Sequence, residues 1–251
     1  MSVQEKRGVL VLAHGSRNSA WVQEVDDAVG AVESNLPVEI GYLELVEGRS
    51  IADGIRRLEA KGVAHILAIP LFVSSGSTHL EEIRWALGLQ ETTRAESCLP
   101  PISVHARMEW GRAMDDHPLM LDILSERAER LSRHSEEETL LLVAHGSTQP
   151  GFRDEWEKGL SSLAMGLQQR FGFRQTDFAM VSADDVAEKA GNLAEKGELL
   201  VLPVFLSKGY FTKKVIPQLL EGIPCQYEGI TYLPHPSVSR WLEEQIREYN
   251  P

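Results

Sequence analysis

The sequence predicts an α/β protein built as two similar parallel-sheet domains that arose by internal duplication. Three observations predict it. Residues 9–16 (VLVLAHGS) return at 140–147 as LLLVAHGS, so an apolar strand twice ends on His-Gly-Ser. A second apolar run, residues 66–73 (ILAIPLFV), is matched at 199–206 (LLVLPVFL), with proline at 70 and 203 and Ser and Gly after each. A His-Pro pair then comes late in each half, His117-Pro118 and His235-Pro236. Strand-like and helix-like segments alternate throughout, the pattern of parallel sheets with right-handed crossovers.

Each element has its own signal. Residues 8–13 are a continuous Val/Leu run, as in a strand buried on both faces. Residues 19–36 place Trp21, Val25, Ala28, Val29 and Val32 at helical spacing. A second strand over 38–45 carries Glu44 at its end, and a helix over 51–61 is stopped by Gly62. The third strand, 64–73, leads into Ser-Ser-Gly-Ser. A helix then opens on Thr78 as N-cap, with Glu81 reaching back in a capping box. A fourth strand over 102–106 and a helix over 119–133 close the half. The polar stretch 132–139 (SRHSEEET) reads as a linker, dividing the chain into 1–135 and 136–251. The second half repeats the order, with strands over 140–144, 177–182, 199–206 and 229–233. Its helices fall over 152–171, 183–196, 213–221 and 238–249.

Composition sets the outer limits. A chain of 251 residues with 43% hydrophobic content can bury a core in each half. No apolar run approaches the roughly 20 residues of a membrane helix, and the N-terminal residues lead directly into a strand. A soluble, cytoplasmic protein without a membrane partner is therefore expected. The two cysteines, Cys98 and Cys225, form no Cys-x-x-Cys pair, which excludes a zinc knuckle or disulfide framework; both are expected to be inert small hydrophobes. A net charge of −12 repels nucleic acid. Any polyanionic ligand must be met by local basic clusters that override the global field.

Three side chains fit metal chemistry. His14 follows the first strand, Glu44 ends the second, and His79 opens the helix after the third. In one parallel sheet all three would point over the carboxyl edge, where open α/β sheets bind ligands. Two imidazoles and a carboxylate suit Fe²⁺, Co²⁺, Ni²⁺ or Zn²⁺. At a helix start, His79 meets a positive partial charge that disfavours imidazolium. Each residue taken singly also has an ordinary role: a loop hydrogen-bonder for either histidine, a solvent-facing strand position for Glu44. Their convergence is what carries the reading.

The second half keeps His145 but lacks the rest. The position aligned with Glu44 falls near Met180, and Phe211 or Thr212 stands where His79 would be. Its loop is basic, with Lys208, Lys213 and Lys214, which points to a division of labour: metal in the first half, anionic groups in the second. His65, His105 and His134 read as structural or exposed, and His117 and His235 as caps before Pro. There is no G-x-S-x-G elbow, Walker loop or G-x-G-x-x-G, so no nucleotide cofactor is expected.

At the AHGS strand with His14, the Tyr-Leu-Glu-Leu segment with Glu44, and PLFVSSGSTHLEEI with His79, the chain resembles the class II tetrapyrrole chelatases of the CbiX/SirB type, as two tandem units. His79 lies three residues after Gly76, where the family commonly has histidine two after glycine. Shorter relatives have one unit and pair as homodimers. The resemblance thus implies a monomer with pseudo-dimeric architecture and an active site in the cleft between its domains. It further implies ATP-independent insertion of Co²⁺ or Fe²⁺ into sirohydrochlorin on the way to cobalamin or sirohaem, and the donor set itself extends the candidates to Ni²⁺. His14, Glu44 and His79 then hold the metal and help remove pyrrole protons, and no working site is assigned to the second unit. The substrate's carboxylates need cationic partners, for which Arg17, Lys208, Lys213 and Lys214 are the candidates, with Ser16 as a further substrate-binding residue. The alternatives are a non-catalytic metal or tetrapyrrole carrier and a metal-dependent hydrolase.

Overall fold

A computed structural model of the chain describes residues 5–93 and 99–250; Cys98 lies outside them. The described residues form two four-stranded, all-parallel sheets, ordered β2-β1-β3-β4 and β6-β5-β7-β8. This is the α/β architecture, twice over, that the repeat predicts.

In the first sheet, β1 (Arg7–Ala13) is central, between β2 (Val38–Tyr42) and β3 (His65–Pro70), and β4 (Arg107–Trp110) is an edge. Every residue of β1 after Arg7 is buried, which is why it reads as an unbroken apolar run rather than an alternating one. The parallel ladder pairs Ala13 with Tyr42 on one side and Leu12 with Pro70 on the other. Parallel neighbours require crossovers, supplied by α1 (Ser19–Gly30), α2 (Ile51–Ala60) and α3 (Thr78–Ala86). Leu10 and Leu12 of β1 pack with Ile51, Ile55 and Leu58 of α2 and Ile83 of α3 in one apolar cluster.

The second sheet has the same plan. β5 (Glu138–Ala144) is buried along its whole length between β6 (Gln175–Met180) and β7 (Glu198–Val204), with β8 (Cys225–Gln226) at the edge. Its helices are α4 (Pro118–Leu131), α5 (Phe152–Phe171), α6 (Val186–Ala194) and α7 (Ile216–Leu219). One π-helical turn, Phe211–Val215, precedes α7. The last helix is α8 (Pro236–Tyr249).

The compact units are discontinuous in sequence. Of the described residues, one unit comprises those up to Phe72, those within Ser77–Ala113 and those from Ser239 to Asn250; the other comprises Val73–Gly76 and Met114–Val238. A single cut at 135/136 therefore places α4 and most of α8 differently from their contacts. Ser239 Oγ of α8 donates to Ala28 O of α1 at 2.8 Å, and Gln245 Oε1 accepts from Arg112 N at 2.7 Å, both within the first unit.

Several boundaries move from the sequence expectation. The helix 19–36 ends at Gly30, β2 ends at Tyr42 instead of 45, and α6 starts at Val186 instead of 183. The expected strand 102–106 lies instead at Arg107–Trp110, whose exposure alternates as on a sheet edge. The expected strand 229–233 is replaced in the ladder by Cys225–Gln226. Tyr232 N and Leu233 N nonetheless donate to Phe205 O and Leu206 O at 3.0 and 2.7 Å, so that apolar stretch runs beside the chain just beyond β7. Helix α3 is capped by Ser77 without a side-chain bond; Thr78 is already helical, and no Thr78–Glu81 capping box forms. His117 and His235 do cap: their Nδ1 atoms accept from Leu119 N at 3.3 Å and Ser237 N at 3.1 Å. Cys225 is half-buried, and burial pushes its thiol up, as fits an unreactive cysteine.

The polar stretch 132–139 is an anchor. Glu138 is buried at the start of β5, and its carboxylate accepts from Ser132 Oγ (2.5 Å), Arg133 N (2.7 Å) and His134 N (3.1 Å). Burial pushes the carboxyl up, but these three bonds outweigh it and hold the group below the usual carboxylate range. Glu138 therefore stabilises the fold fully above the ordinary Glu range, and the contribution is lost as pH falls through its depressed native value. Glu138→Ala leaves three donors unmet and is expected to cost about 1.5–3 kcal/mol in urea unfolding at neutral pH. The difference from the parent protein should shrink in acid.

Candidate metal centre

In a sheet ordered 2-1-3-4 the chain leaves β1 toward β2 on one side and β3 toward β4 on the other, so the carboxyl ends of β1 and β3 flank the topological switch point. His14 is the first residue after β1, and His79 is the second residue of α3, which follows β3. Their rings meet there edge to face, with centroids 4.8 Å apart and planes at 77°. Both side chains are partly open to solvent, 39% and 41% exposed.

Glu44 reaches the same place because the β1–β2 ladder continues past the strands. Leu43 N donates to Ala13 O at 2.8 Å and Glu44 N to His14 O at 3.0 Å. Glu44 is thus a loop residue fixed by its backbone to His14, not the end of a strand. Its Oε1 stands 3.9 Å from His14 Nδ1, and its side chain is 52% exposed. The loop is clamped behind it. Tyr42 Oη donates to Asp26 at 2.7 Å, Arg49 makes two 2.7 Å bonds to the same carboxylate, and Tyr42 N donates to Arg49 O at 2.9 Å. Burial pushes the Asp26 carboxyl up, but the bonds from Arg49 and Tyr42 prevail and hold it below its ordinary value. Leu45, next to Glu44, takes a positive φ of 64° and is 47% exposed. Backbone strain of this kind gathers at functional sites.

Gly15 completes the turn. Its φ is +97°, and a Cβ there would sit 1.9 Å from Glu44 O, so only glycine lets the two loops approach. Among the described residues, no group of three or more His, Cys, Asp or Glu is already assembled to hold a metal ion. The rings touch, and the carboxylate stands beside one of them.

The second unit repeats the backbone without the chemistry. His145 meets Phe211 edge to face at 4.8 Å and 83°, a near copy of the His14–His79 contact. Ser182 N donates to His145 O at 2.9 Å. Ser182, two residues beyond Met180, is therefore the counterpart of Glu44. Ser16 Oγ and Ser147 Oγ accept from Asn18 N and Gln149 N, the same turn in both units. Arg17, Lys208, Lys213 and Lys214 are all exposed. Lys213 and Lys214 lie on the π-helical turn, pinned by a 2.8 Å bond from Tyr227 Oη to Thr212 O. Sequence reasoning missed the Asp26 clamp and also Glu82, whose Oε2 lies 3.2 Å from His79 Nδ1. The latter was visible as a carboxylate three residues from a histidine on one helix.

A model of the CbiX family matches residues 8–131 and again 139–249. The chain belongs to the CbiX family. Relatives of this CbiX-family chain include a sirohydrochlorin cobaltochelatase from Methanococcoides burtonii, 26% identical over half of this chain and 97% of the relative. Another, from Methanothermobacter thermautotrophicus, is 33% identical over 34% of this chain and 59% of the relative. Among solved structures, SirB from Bacillus subtilis with Fe³⁺ aligns with a TM-score of 0.73 at 18% identity, covering 97% of this chain and 95% of that one. CbiX, the terminal enzyme of sirohaem biosynthesis in denitrifying bacteria, aligns at 0.65 and 20% identity, covering 98% and 100%. These likenesses establish the fold along nearly the whole chain.

The two glycine turns give a graded test. An alanine Cβ at Gly15 would sit 1.9 Å from the backbone oxygen of Glu44, whereas at Gly146 its nearest neighbour would be the Met180 side chain at 2.5 Å. Both substitutions incur the cost of a left-handed residue, about 1–2 kcal/mol. Gly15→Ala is expected to destabilise the protein measurably more than Gly146→Ala in denaturant unfolding; equal losses would contradict the backbone contact.

Proposed function

We propose that this chain is a sirohydrochlorin chelatase that inserts Co²⁺ or Fe²⁺ into the macrocycle without ATP, serving cobalamin or sirohaem biosynthesis. His14, Glu44 and His79 are its metal-holding and proton-accepting set. The observation that carries the reading is the pair of touching imidazoles at the switch point with the Glu44 carboxylate beside them. The curated relatives, named as sirohydrochlorin cobaltochelatases, supply the reaction and the substrate class.

The chemistry comes from the donor set. The divalent cation is a substrate, so it must be held firmly enough to shed water and loosely enough to leave. Metal–imidazole bonds of about 2.0–2.1 Å allow two rings at this separation to share one cation after side-chain rotation. As the cation enters, the macrocycle gives up two pyrrole N–H protons. The Glu44 carboxylate accepts them in turn and passes them to the water that its half-exposed side chain meets. The carboxylates of the tetrapyrrole are met by Arg17, Lys208, Lys213 and Lys214, with Ser16 supporting the turn that carries Arg17. Lys208, Lys213 and Lys214 give the second unit of this acidic chain a basic stretch to which a polyanion can bind. The protein works as a cytoplasmic monomer; no helix among the described residues is long and apolar enough to cross a membrane.

Anaerobic metalation of sirohydrochlorin, followed by absorbance with Co²⁺, Fe²⁺ and Ni²⁺ in parallel, tests the reading. A rate well above the spontaneous reaction is expected with Co²⁺ or Fe²⁺. Its absence with every metal would overturn the proposal. Glu44→Gln is expected to lower the rate by roughly 10²–10⁴-fold, the usual contribution of a positioned base. A variant that retained full rate would remove Glu44 from the proton path. Replacing Lys213 and Lys214 together by Glu is expected to raise KM for the tetrapyrrole several-fold and leave KM for Co²⁺ unchanged.

A further inference from the structure

His79 is one of the two imidazoles in the proposed site, and the significance of its orientation rests on that reading. His79 and Glu82 lie three residues apart on α3, on one helix face. His79 Nδ1 and Glu82 Oε2 are 3.2 Å apart. The Glu82 side chain is only 12% exposed against 41% for His79, so the carboxylate sits inward and the ring faces outward. An ionised carboxylate can only accept. A neutral His79 bonded to it must therefore donate Nδ1–H, which leaves the lone pair on Nε2.

We propose that Glu82 is a positioning residue. It fixes His79 in the Nδ1–H tautomer and thereby presents Nε2 to the incoming divalent cation. A carboxylate behind a metal-binding imidazole sets tautomer and ring orientation and raises the basicity of the ligating nitrogen. The neutral histidine side chain in water favours the opposite tautomer, with the proton on Nε2, so without Glu82 the outward nitrogen would carry a proton in place of a lone pair.

Two further observations agree. His14 Nδ1 lies 3.1 Å from Gly15 O, so the same nitrogen is occupied in both rings and Nε2 is left for the metal in each. In the second unit, Phe211 stands in the place of His79, and the residue three positions on is Lys214. Where there is no imidazole to orient, the carboxylate is gone as well. Glu81, the neighbouring acid, is engaged by the following loop: its Oε1 accepts from Thr93 Oγ1 at 3.5 Å and its main-chain carbonyl from Gln90 Nε2 at 3.0 Å.

The tautomer can be read on the intact protein without metal. A long-range ¹H–¹⁵N correlation spectrum at alkaline pH is expected to show His79 as the Nδ1–H form; an Nε2–H form would overturn the inference. Co²⁺ binding to the protein alone, followed by its visible absorption, gives a second readout. Glu82→Gln is expected to weaken Co²⁺ binding at least tenfold, the usual scale for such a partner, with little change in Tm. Glu81→Gln should bind Co²⁺ as the parent does. Parent-like Co²⁺ affinity in Glu82→Gln would also overturn the inference. Glu82-dependent Co²⁺ binding in a protein that fails to metalate sirohydrochlorin would support this role for Glu82 while refuting the proposed function.

Discussion

One main-chain hydrogen bond does more than any other to define the site: Glu44 N–H to His14 O, the first rung beyond the β1–β2 ladder. It ties the carboxylate loop to the histidine loop at fixed register, and it is possible only because Gly15 has no Cβ to strike Glu44 O. The Asp26–Arg49–Tyr42 clamp holds the far side of that loop. The site is therefore assembled by backbone geometry at a sheet edge. Side chains supply the chemistry on a frame that parallel pairing has already built.

The second unit shows the frame separated from the chemistry. Its rung is present, from Ser182 N to His145 O, and so is the edge-to-face contact at the same 4.8 Å, made with Phe211. Serine in place of Glu44 and phenylalanine in place of His79 remove both of the donors that accompany the imidazole in the first unit. In the same stretch the chain carries Lys208, Lys213 and Lys214, and the exposed Tyr210. The second copy retains the fold without the two side chains that accompany the imidazole in the first.

Legibility in the sequence followed burial. The strands β1 and β5, buried on both faces, announced themselves as unbroken apolar runs, and α5 was bounded correctly at 152 and 171. Edge elements did not. β4 (RMEW) is half-exposed and polar, so the more apolar residues just before it drew the assignment; the stretch 229–233 drew it for the same reason, since Tyr232 and Leu233 are buried. The 132–139 segment looked like a linker because its charge pattern is polar, and nothing local reveals that Glu138 will find three donors. Nor could periodicity reveal that residues from Ser239 onward group with the first unit. At the candidate site, the expected strand ends and the helix start after the third strand were enough to name His14, Glu44 and His79 as candidates, although Glu44 lies in the loop beyond β2. Glu82 was passed over because a capping box offered Glu81 an easier role, and that box depended on an N-cap one residue away from the true one.

Whether His14, His79 and Glu44 gather around a single cation is tested most directly by X-ray absorption at the cobalt edge of the Co²⁺-loaded protein. Two imidazole shells and carboxylate oxygen around one cobalt are expected, with one imidazole shell lost in either His14→Ala or His79→Ala. A cobalt bound through oxygen alone, or one whose spectrum is unchanged by both substitutions, would contradict a shared site.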